Sequence, residues 1–230
     1  MSDLEIIGAP PSNYVWMVRM ACAEKRVPYK LVSAIPHTPE VDAVHPLGKI
    51  PAMRHGDVVL AESRAICAYI ERMFDGPPLI PTDPVKAAQC EQWLSLVNTA
   101  IDPVWLRQYA AGYIFPGTPD KSPDRTRIDP ALQKMEQQFP VMDAAVKNGF
   151  FVGNSLTLAD INFLPILFYM KQFPESAALV NKHKNLKAYL ERHSSRKSFI
   201  ETTPQQTPAD AVNAARAQAA NTDVAQAAAS

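Results

Sequence analysis

His45-Pro46-Leu47-Gly48-Lys49-Ile50-Pro51, followed eleven residues after Pro51 by Glu62-Ser63-Arg64-Ala65-Ile66, is the stretch that decides how the 230-residue chain is read. An apolar residue before a proline at the start of a strand is a candidate for a cis bond. Such bonds are nearly confined to X-Pro and turn the preceding amide and carbonyl outward. An extended peptide can then pair with the backbone of Ile50 as an added strand. Glu62-Ser63 opens an apolar-periodic segment, which places Ser63 and its neighbouring amides at a helix N-terminus, where a carboxylate is favoured. One element reads backbone and the other reads an acid, so together they suit a small acidic peptide.

Working outward, the segment before this stretch divides cleanly. Leu4 to Ile7 reads as a short buried strand, closed by the turn Gly8-Ala9-Pro10-Pro11. Ser12 to about Arg26 carries Val15, Val18 and Cys22 on one face, a helical period. Pro28 to Val32 is a strand and Glu40 to Val44 a weak helical patch. Pro51 to Met53 and Val58 to Leu60 form a hairpin about His55-Gly56-Asp57. Glu62 to Phe74 is a helix with Ile66, Tyr69, Ile70 and Met73 as its stripe. The order strand, helix, strand, helix, strand, strand, helix is that of a thioredoxin-like α/β domain, assigned to residues 1–75.

The proline-rich run from Asp75 to Pro84 cannot continue a helix and reads as a linker, 76–85. Residues 86–203 are then helical almost throughout, giving an all-α bundle as the second domain. Lys86 to Phe115 has Cys90, Trp93, Leu94, Val97 and Ile101 at core spacing, with a kink expected at Pro103. Further helices are expected at Asp124 to Lys147, Leu158 to Lys171 and Leu186 to His193. Thr157-Leu158-Ala159-Asp160 has the form of a capping box, with Leu156 placed to staple against Ile161. Residues 204–230 form a tail rich in Ala and Gln, read as solvated or frayed, or as a helix laid on another surface.

Composition narrows the function classes. Lys and Arg total 23 and Asp and Glu 23, so net charge is zero and nothing favours nucleic acid or an anionic membrane surface. Acids stand near the N-terminus where a signal peptide has bases, and no apolar run approaches membrane-spanning length, so a cytoplasmic protein is expected. Cys22, Cys67 and Cys90 form no Cys-x-x-Cys, which argues against a disulfide framework or dithiol centre. The five histidines never recur at metal-ligand spacing, and no metal is expected.

The paired motifs resemble the glutathione site of the cytosolic glutathione transferases. The resemblance implies that Lys49, Ile50, Pro51, Glu62 and Ser63 bind glutathione. Ile50 and Pro51 would hold its cysteinyl backbone, Lys49 its glycyl carboxylate, and Glu62 and Ser63 its γ-glutamyl end. The chain departs from the pattern at His45, where relatives more often carry Asn. The same family activates the thiol with a group just after the first strand, and here Ser12 stands at that place, as in the serine-type theta and phi classes. Asn13 is the alternative donor and Tyr14 a third. A thiol has a pKa of about 8.5, and one charge-assisted hydrogen bond worth roughly 1.5–3 kcal/mol lowers it by about one to two units, enough for thiolate at neutral pH.

Trp105, Tyr109 and Tyr113 recur at i, i+4 and i+8. The resemblance makes this stripe, with Pro11 and Tyr14, the wall of a pocket for a hydrophobic electrophile, although such spacing also describes ordinary core. The function implied is glutathione transfer by attack of the thiolate on an electrophile, in conjugation or displacement, with peroxide reduction as a variant. Glutathione is then a co-substrate, no cofactor is permanently bound, and a homodimer is expected. The alternative is a non-catalytic protein that binds glutathione or a hydrophobic ligand on the same fold, with Ser12 no more than a helix cap. A thiol-disulfide exchanger needs a cysteine near residues 8–13, and none is present.

Overall fold

The computed structural model describes residues 4–205 and Asp210, so nearly all of the Ala- and Gln-rich tail lies outside the described residues. The chain forms two compact units, one running to Met73 and joined by the segment from Thr202, the other spanning Phe74–Glu201.

The first unit follows the order β1 (Leu4–Ile7), α1 (Asn13–Lys25), β2 (Lys30–Val32), α2 (Pro39–Asp42), β3 (Ala52–His55), β4 (Val58–Ala61) and α3 (Ser63–Met73). Its sheet runs β2-β1-β3-β4. β1 and β2 are parallel, a pairing that needs a crossover, which α1 supplies. β3 is antiparallel to β1 and forms a hairpin with β4. Ile7, Ala34, Val41 and Ala52 make a buried cluster against which Val32, Val44 and Ile50 pack. That cluster ties α2 and the Ile50 loop to the middle of the sheet.

Two helices depart from their expected faces. Trp16, Met17, Met20 and Ala21 are buried along with Val15, Val18 and Cys22, so α1 is enclosed nearly all round. In α3 the buried positions are Ser63, Ile66, Cys67 and Ile70, while Met73 is 57% exposed. Tyr69 turns outward from that stripe, its hydroxyl 2.9 Å from His55 Nδ1.

The second unit contains α4 (Pro84–Leu96), α5 (Asp102–Val104), α6 (Ala111–Ile114), α7 (Arg125–Ala145), α8 (Leu158–Met170), α9 (Pro174–Lys182) and α10 (Lys184–Ser194), with α11 (Lys197–Thr202) at its end. Pro103, where a kink is expected, lies in the short α5. π-helical turns at Val97–Ile101 and Trp105–Ala110 flank it. Pro103 donates no backbone hydrogen bond and its ring crowds the preceding turn, and a widened ladder on either side accommodates both defects. α9 has no polar side chain at its N-cap, Phe173, but has Pro174 at the first helical position, where its fixed φ suits a helix.

α8 is buried on every side and is the axis of this unit. Its first turn is set by Asp160, which is fully buried and accepts four hydrogen bonds. Oδ2 takes the Thr157 N–H at 2.8 Å and the Thr157 hydroxyl at 2.9 Å. Oδ1 takes the Phe151 N–H at 3.0 Å and the Tyr189 hydroxyl at 3.1 Å. Burial nonetheless raises the Asp160 pKa from its ordinary value. Among the described residues, no helix is long and apolar enough to cross a membrane.

Candidate glutathione site

Three short segments of the first unit are brought together by backbone geometry. The first leaves β1 through Gly8, whose N–H donates to Val32 O, and turns at Ala9–Ser12, where the Ser12 N–H donates to Ala9 O at 3.0 Å. Ser12 is the N-cap of α1 and has the extended backbone expected there, yet among the described residues its side chain makes no capping hydrogen bond. The first turn of α1 carries no acid to neutralise the positive end of the helix. Ser12 and Tyr14 are half-buried, while Pro11 and Asn13 are buried.

The second segment is the loop to β3. The Ile50-Pro51 bond is cis, Lys49 is exposed, and the Ile50 side chain is anchored on the core cluster. Gly8 is what lets this loop approach the Ser12 turn. A Cβ at Gly8, whose φ is +152°, would lie 2.5 Å from Val15 Cγ2 and 3.1 Å from Ile50 Cβ. Only a residue without a side chain fits between them.

The third segment begins α3. Ala52 pairs with Ala61, and β3 begins one residue after Pro51 as β4 ends one residue before Glu62. The backbone-reading and acid-reading motifs therefore lie beside each other at one end of the hairpin. Glu62 is exposed and takes a left-handed backbone, φ 69°, and its carbonyl accepts the Ile66 N–H at 3.0 Å. Ser63, first residue of the helix, is 7% exposed. The His45 side chain, nearly enclosed, places Nε2 3.7 Å from Glu62 Oε1.

The family model described as glutathione S-transferase, N-terminal domain, matches residues 6–78, and that for the C-terminal domain matches residues 107–197. Glutathione transferase F7 from Populus trichocarpa is 30% identical, with a TM-score of 0.75 over 86% of this chain and 97% of its own. The chain belongs to the glutathione S-transferase family. Glutathione S-transferase F10 of Arabidopsis thaliana is 29% identical over 192 residues, which is 82% of this chain and 89% of that protein. A glutathione S-transferase of Methylobacillus flagellatus, solved with glutathione bound, is 28% identical with a TM-score of 0.74, covering 88% of this chain and all of that one.

In this glutathione S-transferase two of the three aromatic side chains of the stripe are enclosed. Trp105 and Tyr109 have no exposed surface. Trp105 stacks on Phe139 with ring centres 4.2 Å apart and donates its indole N–H to Gln138. Tyr109 donates to Glu175 and accepts the Ser176 N–H. These two side chains therefore belong to the core of the helical unit. Tyr113 is half-buried, stacks on Phe173 and donates to the same Glu175 carboxylate. Burial opposes ionisation of Glu175, but hydrogen bonds from Tyr113 and Arg125 outweigh it and hold its pKa at about 2.

Two of the cysteines have no place in the chemistry. Cys22 and Cys67 are buried, and desolvation raises both thiols, that of Cys67 to about 12. Among the described residues, no group of three or more His, Cys, Asp or Glu side chains is placed to hold a metal. Sequence reasoning missed the role of Gly8, for which a glycine immediately after a strand was the available signal.

Proposed function

We propose that this protein binds glutathione at Ser12, Lys49, Ile50, Pro51, Glu62 and Ser63, and transfers it to a hydrophobic electrophile. The Ile50 backbone pairs with the cysteinyl residue, Lys49 meets the glycyl carboxylate, and the start of α3 receives the γ-glutamyl group, with Glu62 facing its ammonium. Ser12 donates a hydrogen bond from its hydroxyl to the thiolate sulfur, keeping its own proton, and so lowers the thiol pKa by about one to two units. The released proton passes to water, and no general base is needed. Thiolate attack on an electrophilic carbon then forms the thioether as the leaving group departs, or opens a strained ring.

The observation that carries this reading is the Ser12 hydroxyl, which occupies an N-cap without serving as one. It stands at an acid-free helix N-terminus, on the turn that Gly8 brings up to Ile50. Asn13, with 4% of its surface exposed, is less accessible to a ligand. Pro11, which is buried, and Tyr14, which is half-buried, remain as candidates for the electrophile wall. The exposed apolar side chains of Val58 and Val59 on the edge strand β4, with Met73 on α3, suit a homodimer contact. A cytoplasmic location accords with three free cysteines.

The test is the ultraviolet absorbance of bound thiolate titrated against pH in the native protein and in Ser12→Ala. The native midpoint is expected below that of free glutathione and the variant's near it. A variant midpoint as low as the native one removes Ser12 from the mechanism and transfers the role to Asn13. Binding of glutathione without turnover on halogenated aromatics, epoxides, aryl ethers or peroxides supports a non-catalytic binding protein instead.

A further inference from the structure

His45 joins the two halves of the proposed site. Its side chain is 3% exposed, and its Nδ1 accepts the Leu47 N–H at 3.1 Å. That is the bond to the backbone two residues on that an asparagine makes through its side-chain oxygen. His45 thus keeps the turn into Gly48, whose N–H also returns to His45 O at 3.0 Å. The turn is tight, since a Cβ on Gly48, φ +61°, would lie 2.3 Å from His37 Nδ1.

An imidazole that accepts at Nδ1 carries its proton, when neutral, at Nε2. Nε2 lies 3.7 Å from Glu62 Oε1, too close for an intervening water, and Glu62 is otherwise 73% exposed. A modest rotation of that carboxylate turns the approach into a hydrogen bond. We infer that His45 is a positioning residue, whose Nε2–H holds the Glu62 carboxylate in place to receive the ammonium group of a bound γ-glutamyl peptide. The ring thereby does two things an asparagine's shorter side chain does not combine at this reach. It fixes the loop carrying Lys49, Ile50 and Pro51, and it restrains the carboxylate at the start of α3. Restraint in advance of binding reduces the ordering cost charged against affinity.

The inference rests on the glutathione reading above, and the experiment separates the two. Glutathione affinity is measured by calorimetry for the native protein, His45→Asn, Glu62→Gln and the double variant. His45→Asn keeps an acceptor for the Leu47 N–H while withdrawing the donor from Glu62. It is expected to weaken glutathione binding about 3–10-fold in the native background, the loss appearing in KM for glutathione. In the Glu62→Gln background the same change is expected to cost less than about two-fold, a non-additivity that marks coupling. Equal losses in the two backgrounds, or none in the native one, overturn the inference and leave His45 a turn residue. Unchanged affinity in Glu62→Gln alone overturns the γ-glutamyl assignment of Glu62, and the inference falls with it.

Discussion

Among the described residues α1, α2 and α8 each begin on a hydroxyl residue in extended backbone, and the hydroxyls of α1 and α8 are used in opposite ways. At α8 the Thr157 hydroxyl is committed to Asp160, three residues on, in a buried network. At α1 the residue three on from Ser12 is Val15, the first turn has no acid, and the Ser12 hydroxyl makes no cap bond. An acid at the third position satisfies the cap and cancels the positive helix end. Its absence leaves both for something else. Position at a helix start therefore says little about role, and the residue three places later says much more.

The comparison breaks most visibly at Asp160. Asp160→Ala strands four buried donors and is expected to destabilise the helical unit by about 3–5 kcal/mol, read from urea melts. A loss below about 1 kcal/mol shows that water or other groups replace the carboxylate. Next in size is Ser12→Ala, expected to lower turnover about 10–100-fold while the melting midpoint barely moves, because no cap is lost. A variant that melts early with full activity reverses the contrast between the two helix starts. Thr157→Ala is the mirror experiment. It is expected to cost about 0.5–2 kcal/mol of stability and to leave KM for glutathione unaltered.

The smallest effect sharpens the contrast in charge. The folded-state pKa of Glu175, about 2, lies below its unfolded value, so its stabilisation is complete above about pH 5 and drains away as pH falls toward about 2. Burial gives Asp160 the opposite sign: its pKa is raised, so its contribution is present at low pH and lost as pH rises through the folded value. Denaturation between pH 5 and pH 2 is therefore expected to be shallower in Glu175→Gln than in the native protein. Parallel curves for the two proteins assign the acid sensitivity to other carboxylates.

The sheet unit was legible because its signals are local. Leu4–Ile7 is a run of apolar residues stopped by glycine and prolines, and the hairpin is announced by Gly56-Asp57 between two apolar stretches. In the helical unit the periodicity gave the longer helices but neither α9 nor α11, and it gave none of their surroundings. Trp105 and Tyr109 have the same spacing whether they line a cavity or fill a core, and only the facing Phe139, Gln138 and Glu175 decide it. The π-helical turns were invisible for the same reason, since a proline in a helix signals a defect without saying how the backbone absorbs it. In the site, the motif residues were readable as types, but the approach of Gly8 to Ile50 and of His45 to Glu62 joins positions about 40 and 17 apart in the chain.

The β3–β4 hairpin acts as a caliper. Its jaws are Pro51 and Glu62, and its hinge is the pair Gly56-Asp57 between the matched residues His55 and Val58. Since side chains alternate between faces along a strand, adding a single residue to either arm would slide one jaw past the other and turn its groups over. The loop from Pro116 to Pro123 carries no such gauge, so length variation in descendants of this chain should accumulate there and stay out of the hinge.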